Sequence, residues 1–200
     1  CEKKRVNKRK TKIIMGGKEC MARKKTEQTT YEYFKVDEMF FVGKHKDYVD
    51  KLWTQGKVQE SYFRRLVDLY AIAAIVGLKI KRRSPEERDE SGVKRTVQMK
   101  QLNENYQTLI PIMRLILIMD DSRDMTFEEK LESAFAIPED EETYKANMEL
   151  FNSYSRGGIE YLYEKLVLRV PDVDEDYSDF RIANIVALVN NPIKEENILD

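Results

Sequence analysis

The sequence predicts a mostly α fold: a single compact helical domain of about five to six helices, with room for one short N-terminal strand. Three observations carry this. Apolar residues make up 42% and charged residues 36%, the balance of a helix-rich chain with charged outer faces. Gly and Pro number only 8 and 5, too few for a turn-rich all-β fold. From Tyr48 onward, apolar residues recur at three- and four-residue steps. With 200 residues, the chain can bury one sizeable core.

Taken in order, residues 1–30 lack apolar periodicity and are rich in Lys, Arg, Thr and Gln, which predicts a disordered basic arm. The aromatic stretch YEYFKVDEMFFVG (31–43) suits a short strand or an extended segment lying on the core. Tyr48, Val49, Leu52 and Trp53 then fall at helical spacing, and Gly56 ends that helix. The clearest helix follows. Phe63, Leu66, Val67, Tyr70, Ala74 and Gly77 share a face, and around Ile72–Val76 the helix is apolar nearly all round, so it should be the central element. Gly77 is either its C-cap or a point of close approach.

KRRSPEERDESGVKR (81–95) reads as an exposed, mobile charged loop. ENYQTLIPIMRLILIMDD is a second buried helix, with Pro111 near its first turns or kinking it. Thr126 and Glu129 have the spacing of a capping box for a short helix. Acids after Pro138 favour the start of the next helix, in which Tyr144, Met148, Phe151, Gly158, Leu162 and Leu166 form one stripe. The helical domain thus covers 31–170. An acidic linker and an amphipathic helix, capped by Ser178 or Asp179, occupy 171–200.

The formal net charge of −1 hides an asymmetry: residues 1–25 carry 11 Lys/Arg against 2 Asp/Glu, a net of +9, and the rest carries −10. A basic arm on an acidic body points toward nucleic acid. Two readings of the arm stand side by side. It is native, or residues 1–20 are a leader read in frame. The chain begins with Cys, Met15 and Met21 are candidate starts, and GGKEC before Met21 can be encoded by a purine-rich run resembling a ribosome-binding site. From Met21 the net charge would be −7.

No apolar run reaches the ~18 residues of a membrane span, and no apolar signal core follows the basic N-terminus. Cys1 and Cys20 have no CxxC spacing, and His45 is the sole histidine, so neither a disulfide framework nor a metal site nor a cofactor is expected. His45, among lysines and Asp47, should be solvated. A reduced, cytoplasmic protein is the expectation. No phosphate-binding loop, dinucleotide fingerprint or zinc-protease motif occurs.

Chemistry is sparse. Acids cluster at Asp120, Asp121 and Asp124, at 139–142, and at 172–176. A metal nuclease would need such carboxylates to converge, with Asp120 or Glu142 essential. PEDEETYK, ending at Lys145, offers an acid-x-x-Lys pattern, but an acidic first helical turn explains it equally. A basic group comprising Arg64, Arg65, Lys79, Lys81, Arg82, Arg83, Lys94 and Arg95 could meet phosphates, although Glu86, Glu87, Asp89 and Glu90 balance it. Tyr161 and Tyr163 are either base-stacking residues or amphipathic core edges.

The most unusual stretch is FNSYSRGGIEYLYEKL, where Gly157 and Gly158 interrupt a helical pattern. Each glycine costs a helix interior about 1 kcal/mol relative to Ala. Either Gly158 continues the buried face and lets another backbone, such as that at Gly77, come close, or the helix breaks there. A break would expose N–H groups to an anion beside Arg156.

These residues also carry a family resemblance. A buried helix ending in AIAAIVGLKIKRR, a charged loop, a second apolar helix and then the double-glycine segment resemble small accessory proteins of bacterial DNA phosphorothioation (Dnd) defence clusters. Ala73, Ala74, Gly77 and Leu78 match the first motif of that family. Tyr154, Gly157, Gly158, Ile159, Glu160 and Leu162 match the second. Arg156 stands where the family has Asn, and the resemblance covers about 40–168, leaving the last helix without a counterpart. It implies a helical accessory protein in a DNA-modification or anti-phage locus and brings no known catalytic residues.

The resulting expectation is a non-enzymatic interaction protein. Its acidic body would dock on a basic partner, with contacts at Arg156, Gly157 and Gly158 or at Lys81, Arg82 and Arg83 in the 79–95 loop. The alternatives are direct DNA binding through the arm and that loop, and a metal-dependent nuclease.

Overall fold

A computed structural model describes residues 31–57, 61–87, 92–170, 179–191 and 193. The expected arm at 1–30 and linker residues 171–178 lie outside the described residues. Seven α-helices and one two-stranded sheet make up the described part, matching the predicted class.

The segment at 31–43 lies on the core and supplies the expected short strand. Tyr33 and Phe34 are core residues held in a turn, with Phe34 at φ 63°, and β1 (Met39–Phe41) is the strand. It pairs antiparallel with β2 (Arg95–Val97), placing Met39 opposite Val97 and Phe41 opposite Arg95. β2 takes in only Arg95 of the predicted 81–95 loop and continues into residues for which no element is predicted. Three residues whose buried side chain is Val97 are too short to announce a strand by alternation.

α1 (Gly43–Leu52) buries His45, Val49 and Leu52 on one face. The predicted helix, KHKDYVDKLW (44–53), agrees to within a residue at each end, but His45 in its charged first turn is buried. α2 (Leu66–Ile80) is buried nearly all round, as its composition requires. It ends at Lys81, which adopts the left-handed conformation (φ 58°) and donates its N–H to the carbonyls of Gly77 and Leu78.

The predicted second buried helix is present, and a short helix that was not predicted precedes it. α3 (Met99–Glu104) stops at Asn105, whose side chain bonds the Gln101 carbonyl at 2.7 Å. α4 (Tyr106–Met119) starts there, with Pro111 in its second turn. α5 (Phe127–Phe135) has the expected capping box: Thr126 N–H donates to Glu129 at 2.7 Å, and Glu129 N–H donates to the Thr126 hydroxyl. α6 (Glu141–Tyr163) is capped by Asp140 and spans 23 residues, about 34 Å. It passes into a π-helical turn at Glu164–Leu168. α7 (Phe180–Asn190) is capped by Asp179, one of the two predicted residues.

α2 and α6 make the principal contact of the fold, and the other elements pack round that pair. Aromatic rings fasten the N-terminal segment to it. Phe34 meets Phe151 edge-on at 5.1 Å, Tyr70 lies 5.0 Å from Phe151, and Phe41 lies 6.2 Å from Tyr70. Such pairs add roughly 0.5–1.5 kcal/mol each beyond their burial. Tyr163 stacks on Tyr48 at 4.1 Å, and Tyr161 is buried, so both are committed to internal packing rather than presented for base stacking.

Candidate functional site at the α2–α6 crossing

The double glycine lies within an unbroken helix. α6 runs through Gly157 and Gly158 without a positive φ. A Cβ at Gly158 would stand 1.8 Å from the Ala73 carbonyl oxygen, and one at Gly77 would stand 2.0 Å from the Tyr154 carbonyl oxygen. Pairing 73 with 158 and 77 with 154 makes the helices antiparallel, with only hydrogen atoms between their backbones at the crossing. Gly157 does the same for the chain leaving α2: a Cβ there would meet the Arg82 carbonyl at 2.2 Å. Of the two readings of this motif, close approach is the one realised. The helical N–H groups at 157 and 158 are not opened to an anion.

Beside the crossing, polar groups tie residues 82–84 down along α6. Ser84 N–H donates to the Ser153 carbonyl at 2.9 Å, reaching it where glycine leaves the helix surface bare. Arg156, only 2% exposed, donates Nε to the Ser84 carbonyl at 2.8 Å and Nη2 to the Glu149 carboxylate. Of the predicted contact residues, Arg156, Gly157 and Gly158 are therefore interior. They build the seam instead of offering a surface. The start of the predicted mobile loop is likewise fixed, and Ser84 is buried.

His45 corrects the expectation of a solvated side chain: it is 1% exposed, with Nε2 3.0 Å from Glu160 Oε1. The same oxygen accepts from Ser84 Oγ at 2.7 Å and lies 3.1 Å from Lys44 Nζ. Burial alone would raise the Glu160 pKa, but these donors outweigh it and hold it at about 2. With Nε2 donating, the buried Nδ1 of His45 is left without a hydrogen-bond partner. Serine, glutamate and histidine meet here in the wrong order for nucleophilic catalysis. Both donors point at the carboxylate, so no base faces the serine hydroxyl.

Asp120 is also fully buried. Its Oδ1 accepts from Tyr154 Oη at 2.8 Å, Ser122 Oγ lies 2.8 Å from Oδ2, and Arg123 Nε lies 3.4 Å away. Burial, and next the hydrogen bond to Asp120, push the Tyr154 hydroxyl well up from its ordinary pKa. Glu142 sits in the first turn of α6, about twelve residues and roughly 18 Å of helix from Tyr154. The structure thus does not bring Asp120 and Glu142 together. No group of His, Cys, Asp or Glu among the described residues could hold a metal ion.

The basic group is largely spent on internal contacts. Arg65 pairs with Asp68, Arg82 Nη1 with Glu164 at 2.9 Å, and Arg95 Nε with Asp50 at 2.6 Å. Lys94 sits over the Phe40 ring at 3.7 Å. Arg83 donates to Ser153 Oγ at 3.0 Å and Ser122 Oγ at 2.6 Å, yet its side chain still reaches solvent. Lys79 and Lys81 are exposed beside it. These three border an open groove of about 370 Å³ lined by Ile75, Leu78, Leu115, Met119 and Tyr154.

A family model described as DNA sulphur modification system-associated protein 4 matches residues 42–190. The chain belongs to that family. The match takes in α2, α6 and the double-glycine crossing, and it extends through α7. The last helix of this Dnd-associated protein is therefore part of the family's common body, which corrects the expectation that it had no counterpart. No curated protein and no solved structure matches the chain. No helix among the described residues is long and apolar enough to cross a membrane.

Sequence reading alone missed the polar stripe of the Dnd-associated protein. Glu149, Ser153, Arg156 and Glu160 follow one another at steps of four, three and four, a helical face laid beside the apolar one. That spacing was the available signal.

Proposed function

We propose that this chain is a non-enzymatic accessory protein of a bacterial DNA-phosphorothioation-linked defence system and that it acts by binding another protein. Family membership supports the setting. The observation that carries the mode of action is the contrast between its polar and apolar surfaces. The buried polar groups at the crossing are engaged in holding the fold, whereas Ile72, Ile75, Leu115 and Met119 remain substantially exposed on neighbouring helices. Aliphatic side chains grouped in this way are the usual mark of a protein contact.

The test is affinity capture of the tagged full chain from its host, with mass spectrometry, repeated after nuclease treatment. Retention of a component of the DNA sulphur modification system after nuclease supports the proposal. Recovery of nucleic acid alone, released steeply by salt, would instead favour direct DNA binding.

A further inference from the structure

We infer that the groove beside the C-terminal halves of α2 and α4 is the docking site, and that it takes an acidic segment bearing apolar side chains at helical spacing. This rests on the protein-binding reading above and names the surface and the chemistry of the partner.

The floor is aliphatic. Ile75 is 43% exposed, Leu115 41% and Met119 56%, with Leu78 between the helices. On α2 the open positions 75 and 79 line it four residues apart, and on α4 so do 115 and 119. Two helix ridges of this kind form the seat of an amphipathic helix, which reads them with anchors three and four residues apart. At about 370 Å³ the groove lies near the lower end of ligand-pocket sizes, room for one or two anchoring side chains.

Charge selects the occupant. Lys79, Lys81 and Arg83 rim one end. Arg83 is held in place by Ser122 and Ser153 and lies over the Tyr154 ring at 5.7 Å, so its position is set before any partner arrives. The one carboxylate in the lining, Asp121, is paired with Lys130 at 3.2 Å, and the buried Asp120 offsets only Arg83, 3.9 Å from its Nη1. The excess of cations asks for carboxylates on the incoming segment. Nucleic acid fits less well. The walls offer aliphatic side chains where bases need aromatic faces, and Arg83 already covers the Tyr154 ring. A second copy pairing through the same patch would add the same excess of positive charge.

The deciding experiment places the photo-crosslinker p-benzoylphenylalanine at position 115 of the full chain, irradiates it in the host and sequences the product. It is paired with affinity measurements on the captured protein using Met119→Asp and Lys79→Glu/Lys81→Glu variants, whose melting curves confirm folding. The expected product is a partner segment rich in Asp or Glu with apolar residues at three- and four-residue steps. Each variant should weaken binding at least tenfold. A cross-link to nucleic acid, to a second copy or to a basic segment overturns the assignment. So does a wild-type affinity in both variants. Failure of the unmodified chain to capture any protein would instead remove the protein-binding reading itself.

Discussion

Replacing Gly158 by Ala tests the α2–α6 seam most directly. The new methyl would lie 1.8 Å from the Ala73 carbonyl oxygen, 2.6 Å from its carbon and 2.9 Å from its Cα. All three atoms belong to helix backbone, so no rotamer change relieves the clash. The helices must part by roughly 1.5–2 Å to restore ordinary contact, and the packing along the seam loosens over its whole length. Overpacking typically costs about 1–3 kcal/mol, and a clash against backbone belongs at or above the top of that range. Alanine returns about 1 kcal/mol in helix propensity. The net loss should be about 2–4 kcal/mol, a fall of roughly 5–15 °C in melting temperature for a chain of this size. Thermal unfolding followed by circular dichroism at 222 nm measures it. Gly56→Ala is the control, since that glycine has φ 76° with nothing within 4 Å, and only local strain of about 1 kcal/mol is expected. A Gly158→Ala protein that melts at or above the wild-type temperature would mean that propensity governs the site and that the backbones do not touch.

Three further outcomes follow from the polar groups. Glu160 has its folded pKa at about 2, below its ordinary value of 4.5, so its stabilising contribution is complete above pH 4.5 and is lost as pH falls toward 2. Glu160→Gln should therefore have a lower urea midpoint than wild type at pH 7, and the gap should close between pH 4.5 and 2; a gap independent of pH would deny that the carboxylate charge matters. Arg156→Ala removes the donor to the Ser84 carbonyl and leaves a buried void, with an expected loss of about 2–4 kcal/mol. Limited proteolysis should then cut the chain after residue 84 faster than in wild type, and an unchanged cleavage rate would count against the tie. Asp120→Asn turns an acceptor surrounded by donors into a mixed group, at a cost of about 2–3 kcal/mol seen in the same melts. If that variant instead melts normally and abolishes a Mg²⁺-dependent cleavage activity, Asp120 is a catalytic carboxylate and the non-enzymatic proposal fails.

The features legible in the sequence are those written in local spacing. Thr126 and Glu129 declare a helix start within four residues, Asp179 does so within three, and the stripe from Tyr144 to Leu166 follows from period alone. Gly77 and Gly158 could be matched across eighty residues because glycine on an apolar face has few other uses. What escaped depends on partners distant in sequence. His45 looks solvated among Lys44, Lys46 and Asp47, and only Glu160, 115 positions away, explains its burial. Arg156 looks like a surface cation until Ser84 and Glu149 are seen on either side of it. α3 also escaped, because six residues with Leu102 as their buried side chain are too few to show a period.

The same seam has a consequence for how the protein is made. α2 is the most apolar helix of the chain, and the surface that covers it lies on α6, with Gly158 following Gly77 by about eighty residues. At synthesis rates of about 5–20 residues per second, α2 waits roughly 4–16 s for its cover. During that interval a sticky, flat-sided helix is exposed on the nascent chain, with its glycine offering no steric defence against a wrong neighbour. The protein should consequently depend on holding chaperones during translation more than its size alone implies, and truncation before residue 158 should yield aggregates rather than a smaller folded unit.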